Sequence, residues 1–259
     1  MIINRALALL LLASSAKAAP FLPASTLRYE VTPQGLLEDC RSAKKRAESA
    51  LESVARMPAE ARTFDNTPWA LDCINSELSD ETASDAFLKY VSLSSSVRDA
   101  GNECETLLGQ FAVEVYSRED LYGAIKAYAA KGDIPSGEAK RLLDKQLLDF
   151  KRSGLELPAA RRREVLELRK KIVELESSFS KNINEYKDFA LFSKEELEGM
   201  PEDFVSRLER VDDKYKISLD YPDYNPFMDN AANPAARRVL EGKFNNRAAL
   251  QNISILADV

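Results

Sequence analysis

The sequence predicts a mostly α-helical protein, a multi-helix bundle with a long helical hairpin and one short β element. Glycine supplies only 9 of the 259 residues. This is about half of its usual share of roughly 7%, and it disfavours a turn-rich all-β fold. Apolar residues also recur at helical spacing through most of the chain, and Pro, Gly, Ser or Thr stand where one run gives way to the next.

The first two helices are predicted from their apolar faces and their end signals. Residues 35–57 are charged and alanine-rich, carry one apolar face, and are followed by Pro58 as a stop. Thr67 and Pro68 are typical of an N-cap followed by proline in the first helical turn, so a second helix is expected there. After an expected break, its apolar pattern continues to Val91.

Three further helices are predicted between residues 95 and 154. Ser95 or Ser96 starts the third helix, and Ser117 with the acidic residues after it permits a cap for the fourth. A turn at 132–135 follows. Ser136 then caps the fifth helix, which ends at Gly154 because glycine is the usual residue just past a helix C-terminus.

The longest predicted helix covers residues 158 to about 186 and carries an apolar stripe with spacings of three and four residues. The members of this stripe are Val165, Leu168, Ile172, Leu175, Phe179, Ile183 and Tyr186. Such spacing is of coiled-coil type. Because a run of about four heptads is short for a free dimerising coiled coil, we expect an intramolecular hairpin with the preceding helix.

The short β element is predicted in the last third of the chain. Residues 189–192 form a short apolar run, and Tyr215, Ile217 and Leu219 alternate with polar residues as in an exposed strand. Between these segments, residues 193–196 (SKEE) match a capping box that opens a short helical turn.

Two helices are predicted at the end of the sequence. Asn233 and Pro234 open a helix that runs through Phe244, and a further helical pattern extends from residue 247 to Val259 without a closing residue. From this pattern we expect that the reading frame continues beyond Val259 in the native gene.

Residues 1–18 are typical of an export signal. One positive charge, Arg5, precedes an apolar run at 6–13, and Ala16 and Ala18 fit the small-x-small pattern before a cleavage site ahead of Ala19. The run is too short to span a bilayer as an ordinary helix, which needs about 20 residues. We therefore expect an exported protein, periplasmic or extracellular, with no stable membrane anchor after cleavage.

Composition excludes several classes of chemistry. The sequence contains no histidine, so it can form neither a Ser-His-Asp triad nor an H-E-x-x-H metal site. Its net charge of −6 disfavours a nucleic-acid partner, which would require a concentrated positive surface. No catalytic residue and no metal ligand are therefore assigned in this chain.

The three cysteines leave two interpretations open. Cys40, Cys73 and Cys104 are about thirty residues apart and form no C-x-x-C pair, which argues against structural zinc. In an oxidising compartment two of them could pair and leave one over. The favoured interpretation is three small buried apolar side chains without a disulfide.

Several short segments, taken in order, resemble one family. They are TFDNT at 63–67, FKRSGLELP at 150–158, LESSFSKN at 175–182, KEELEGMP at 194–201 and LDYPDYNP at 219–226. Together they resemble the thimet oligopeptidase family of zinc metallopeptidases, which includes neurolysin, oligopeptidase A and bacterial dipeptidyl carboxypeptidase. The resemblance covers residues 63–259.

The resemblance implies a fold of two mostly helical halves around a deep channel that admits short peptides. It implies a zinc ion in the full-length protein, held by two histidines of an H-E-x-x-H helix and a later glutamate, with the motif glutamate activating a water. Those ligands lie beyond Val259, so the chain would hold no zinc. On this view residues 1–18 are a signal peptide, 19–62 a helical segment, and 63–259 the N-terminal helical domain, truncated before the catalytic zinc domain.

The resemblance also suggests where peptides would be contacted. Tyr221, Tyr224 and Phe227 are candidates for the channel wall, although aromatic residues that follow a strand are more often part of the core. Two functions of different class remain. The chain is the non-catalytic, channel-wall part of an exported zinc oligopeptidase that pairs with a C-terminal catalytic half, or it is an exported helical peptide-binding module without catalysis.

We predict that export removes residues 1–18 by cleavage between Ala18 and Ala19, because the small residues at 16 and 18 follow the apolar run. N-terminal sequencing of protein recovered from an exporting host checks this. A mature chain that still begins at Met1 would contradict the prediction.

Overall fold

The computed structural model describes residues 30–132 and 136–259. The predicted export signal and the Ala18–Ala19 cleavage site lie outside the described residues, as does part of the turn at 132–135.

The mostly α-helical prediction is confirmed. The helices are α1 Pro33–Arg56, α2 Pro68–Val91, α3 Ser95–Tyr116, α4 Glu119–Ala129, α5 Gly137–Arg152, α6 Ala159–Asn184, α7 Glu202–Ser206, α8 Tyr221–Asn230, α9 Pro234–Asn245 and α10 Ala249–Asp258. The strands are β1 Phe189–Phe192, β2 Arg210–Val211 and β3 Lys214–Ser218. Among the described helices, none has both the length and the apolar content that crossing a membrane requires.

The first three helices pack on one another, with α3 in contact with both α1 and α2. The inward face of α1 consists of residues three or four positions apart, as its pattern predicts. These residues are Leu36, Cys40, Ala43, Ala47, Leu51 and Val54, all of them buried. Helices α4 and α5 complete this core with Leu121, Leu143 and Phe150.

Helix α2 is continuous, so the predicted break within it is wrong. Apolar residues are sparse in its middle turns, where polar side chains occupy the buried positions instead. Thr82 is buried and donates its hydroxyl hydrogen bond to the Leu78 carbonyl at 2.7 Å. Lys89 is buried and ion-paired with Glu105 of α3. Partnered polar groups therefore replace the apolar stripe.

The approach of α2 to α3 is close enough to require glycine. A Cβ added at Gly101 would lie 2.9 Å from the Lys89 backbone nitrogen and 3.0 Å from its Cβ. A larger residue would push the two helices apart, because both contacts are with atoms near the backbone.

A disulfide joins Cys40 of α1 to Cys104 of α3, and both cysteines are fully buried. The favoured interpretation of three unpaired cysteines is therefore wrong for this pair, while Cys73 remains a free, half-buried thiol. The physical reason is tertiary: helix packing brings the two Cα atoms to 5.9 Å, within the range that a disulfide spans.

The long helix α6 packs mainly against α3 and α10 rather than against the preceding helix α5, so the predicted hairpin partner is wrong. Its contacts with α3 are largely polar. They include Thr106–Ser177 at 2.7 Å, Gln110–Glu174 at 2.8 Å and Lys170–Glu114 at 2.6 Å. At 100° per residue these positions lie on a different side of α6 from the apolar stripe, and Leu168 of that stripe is 61% exposed.

The predicted short β element is confirmed as part of an antiparallel sheet with strand order β1-β3-β2. Phe189 pairs with Ser218 and Phe192 with Tyr215. The predicted capping box is also confirmed, because the Ser193 N–H donates to Glu196 Oε2 at 2.8 Å and the Glu196 N–H donates to Ser193 Oγ at 3.4 Å. Under this sheet lies a second core. It consists of Ala190, Phe192, Leu197, Phe204, Ile217, Leu219, Phe227, Ala231, Ala236 and Leu240.

We predict that replacing both disulfide cysteines, Cys40→Ala with Cys104→Ala, lowers the free energy of unfolding by about 4 kcal/mol. The bond closes a sequence separation of 64 residues and so restricts the unfolded chain. Urea unfolding followed by circular dichroism measures the change, with Cys73→Ala as the matched control. Equal stability of the double variant and this control would contradict the prediction.

Candidate functional site

The start of α8 is held to the sheet by one carboxylate. Asp223 accepts a hydrogen bond from Ser218 Oγ at 2.7 Å and from the Ser218 backbone N–H at 3.3 Å. It also pairs with Arg207 at 3.0 Å. Pro222 in the first turn restricts the backbone further, because its ring fixes φ near the helical value. The backbone of Tyr221, at the first position of α8, is therefore fixed relative to the sheet.

The structure separates the three aromatic residues that the sequence singles out. Phe227 is fully buried and stacks on Phe192 with ring centroids 4.7 Å apart, so it belongs to the second core. Tyr224 is partly buried, and Tyr221 is 61% exposed. Contact with a molecule bound from outside would therefore involve Tyr221 and the accessible edge of Tyr224.

Two residues that sequence reasoning missed complete this group. The Tyr224 ring stacks on Phe244 at 3.7 Å with an interplanar angle of 12°, and Tyr221 meets the same ring edge-on at 5.6 Å. The guanidinium carbon of Arg247 lies 3.6 Å from the Phe244 centroid and 5.8 Å from that of Tyr221. The Phe244 ring therefore lies between Tyr224 and Arg247. We call these four residues the aromatic–arginine cluster.

The backbone around Arg247 fixes its side chain. Arg247 Nε donates to the Phe244 carbonyl at 3.0 Å, which holds the guanidinium against the ring. The next residue, Ala248, is fully buried and has φ 52°, a left-handed conformation that costs a residue with a Cβ about 1–2 kcal/mol. This turn joins α9 to α10 and keeps Arg247 at the junction of both helices with α8.

The charges around the cluster are asymmetric. In the described parts of the chain, no carboxylate lies within ion-pair distance of Arg247, in contrast to Arg207 nearby. Burial raises the pKa of the Tyr224 phenol, and the negative charge of Glu241 raises it further. The cluster thus offers one cation that has no ion-pair partner among the described residues.

Helix α10 buries a polar residue and exposes apolar ones. Asn252 is buried against α6, where it accepts from Asn182 Nδ2 at 2.9 Å and donates to the Phe179 carbonyl at 3.2 Å. Four large apolar side chains on α10 and at the residue after it are largely exposed, and we call them the α10 apolar face. They are Leu250, Ile253, Leu256 and Val259, with exposures from 63% to 91%. A groove of about 590 Å³ lies beside this face, between α3, α6 and α10.

The described residues contain no cluster of side chains that could hold a metal ion. In the ranges 30–132 and 136–259, no three side chains of His, Cys, Asp or Glu come together as a metal site. The full sequence contains no histidine. What the arrangement can do is bind: it presents a cation on aromatic rings and an uncovered apolar helix face.

Comparison with characterised proteins finds relatives of one kind. The chain is 31% identical to thimet-like oligopeptidase of Dictyostelium discoideum over 91% of this chain and 35% of that protein. It is 33% identical to probable thimet oligopeptidase of Arabidopsis thaliana, over 66% of this chain and 24% of the relative. It is 26% identical to oligopeptidase A of Escherichia coli, over 83% of this chain and 32% of the relative. The chain spans about a third or less of the length of these relatives. No protein-family model matches it.

We predict that Asn252→Ala loosens α10 from α6. The substitution removes both hydrogen bonds of the buried amide and leaves Asn182 without its acceptor, at a cost of about 1–3 kcal/mol. Amide hydrogen exchange in α10 reports the loss as faster exchange. Ser254→Ala, at an exposed position of the same helix, is the control, and equal exchange in the two variants would argue against the prediction.

Proposed function

This chain is homologous to a partial region of the thimet oligopeptidase family, and on that premise we propose that it is the N-terminal, channel-wall part of an exported zinc-dependent oligopeptidase. The substrates are short peptides, cleaved by a metalloendopeptidase or a dipeptidyl carboxypeptidase. The observation that carries the proposal is the match to a named oligopeptidase over 91% of the chain at 31% identity.

The residues of this chain do not fit a zinc site. The family's zinc requires two imidazoles one helical turn apart, and the sequence has no histidine. Among the described residues no carboxylate and thiol group substitutes for such a site. The proposal therefore assigns the zinc and the activated water to another part of the protein. The contribution of this chain is to wall the channel and to exclude folded proteins from it.

The α10 apolar face supports the proposal that a further part of the protein packs here. Leu250 is 91% exposed, and Ile253 and Leu256 are each 63% exposed on one short helix. Contiguous exposed apolar surface of this kind usually marks an interaction site. The relatives are about three times as long as this chain, which would leave ample sequence for a catalytic half to cover the face.

Export is supported by two independent observations. Residues 1–18 follow the pattern of a cleaved signal peptide. The buried Cys40–Cys104 disulfide is a bond that persists in oxidising compartments and is rare in the reducing cytosol. Together they support a periplasmic or extracellular location.

A second candidate function is a non-catalytic, exported peptide-binding module. The aromatic–arginine cluster favours it, because all four of its residues belong to this chain and need no further domain to assemble. The two functions differ in one respect that can be measured, which is whether the complete gene product hydrolyses peptides.

We predict that the purified chain, washed with chelator, binds no stoichiometric zinc and does not hydrolyse a quenched fluorescent peptide. The reason is its lack of imidazole ligands. The product of the complete reading frame, prepared in the same way and reloaded with zinc, is expected to hydrolyse the peptide until chelator is added. Metal analysis and the fluorescence assay give both readouts.

Two outcomes would count against the proposal. Chelator-sensitive hydrolysis by a clean preparation of this chain alone would place a catalytic metal within it. A complete reading frame without H-E-x-x-H, whose product binds peptides but does not cleave them, would favour the binding module.

A further inference from the structure

We infer that the aromatic–arginine cluster at the junction of α8, α9 and α10 binds the C-terminal carboxylate of a short peptide. The inference takes its class of ligand, a short peptide, from the proposed function. It adds a site and the chemical group that the site recognises.

The geometry of Arg247 suits a carboxylate. Its Nε is already engaged by the Phe244 carbonyl, and the guanidinium lies against the Phe244 ring at 3.6 Å. The N–H groups of its two terminal nitrogens are then available in one plane, which is the arrangement that accepts both oxygens of a carboxylate. Stacking on the Phe244 ring holds the Arg247 guanidinium in place before a ligand arrives, so less side-chain entropy is lost on binding.

Internal structure alone does not account for this arrangement. A stack that served only to close the core would be covered, but Tyr221 is 61% exposed. Arg247 has no carboxylate within ion-pair distance in the described residues. The turn that carries it places Ala248 in a left-handed conformation, and backbone strain of this kind is concentrated at functional sites.

The surroundings favour an anion that carries an apolar group, such as a peptide end, over an inorganic anion such as phosphate. The exposed ring of Tyr221 provides an apolar surface for the last side chain of the peptide, next to the group that binds its carboxylate. The cluster also adjoins α10, and ligand sites are common beside interfaces between domains.

The test compares two peptides that differ in one group, N-acetyl-Ala-Ala-Leu as the free acid and as the C-terminal amide. Their binding to the 259-residue chain is measured by NMR titration. We expect the free acid to bind at least about 10-fold more tightly, because a charge-assisted hydrogen-bond pair is lost in the amide. Arg247→Met keeps an apolar stem on the ring and is expected to abolish the difference.

Arg238→Met is the matched control, since Arg238 is exposed on α9 and its loss changes the net charge equally. This variant should retain the preference for the free acid. Circular dichroism establishes that each variant is folded. As a second variant, Tyr221→Ala should weaken binding of both peptides while the preference for the free acid remains, which keeps the test decisive even if Arg247→Met does not fold.

Three results would overturn the inference: equal binding of acid and amide, equal effects of Arg247→Met and Arg238→Met, or full binding of the amide of N-acetyl-Ala-Ala-Asp. The last result would mean that any carboxylate suffices. Because hydrolysis is not read out here, failure of this site is distinguishable from failure of the proposed function, which is judged on the complete gene product.

Discussion

Fixation of α3 to α1 is the constraint on which the rest of the structure depends. Helices α1, α2, α4 and α6 all contact α3, and the Cys40–Cys104 disulfide ties it covalently to α1. On its α2 side the separation is set by Gly101, where a single Cβ would collide with the Lys89 backbone. Because both separations are defined, the position of α3 in the bundle is fixed. Helix α6 packs on α3, and α10 packs on α6, so both are positioned from α3.

An ion pair strengthens the connection between the helices packed around α3 and the second core, which the chain also joins where α6 leads into β1. Arg98, at the start of α3, pairs with Glu185 just past the end of α6, with Nη2 and Oε2 2.8 Å apart. Arg98 also donates to the Ser92 carbonyl at 2.9 Å, and its hydrogen bond to Glu185 lowers the pKa of that carboxyl, an effect that its positive charge strengthens. The chain therefore enters β1 from a fixed point, and the sheet and α8 are positioned from there.

The features that could be predicted from the sequence are those that depend on residues close together in the chain. Apolar spacing and Pro58 define α1, and Ser193 with Glu196 defines a capping box, because all of these signals lie within a few residues. The continuity of α2 was missed because Lys89 is buried by pairing with Glu105, a residue of another helix. For the same reason the neighbour of α6, the disulfide and the stacking of Phe244 under Arg247 were missed: each requires knowing which helices meet.

The burial of Asn252 bears on how the ordering of α10 is coupled to the binding of a partner at its exposed side. Two hydrogen bonds attach its amide to α6, and each is worth about 1 kcal/mol net. Burying the side chain of Leu250 or Leu256 under a partner would contribute about 1.5–3 kcal/mol. Covering these side chains would then contribute to the order of α10 at least as much as its two hydrogen bonds to α6, so docking and the ordering of this helix would be coupled.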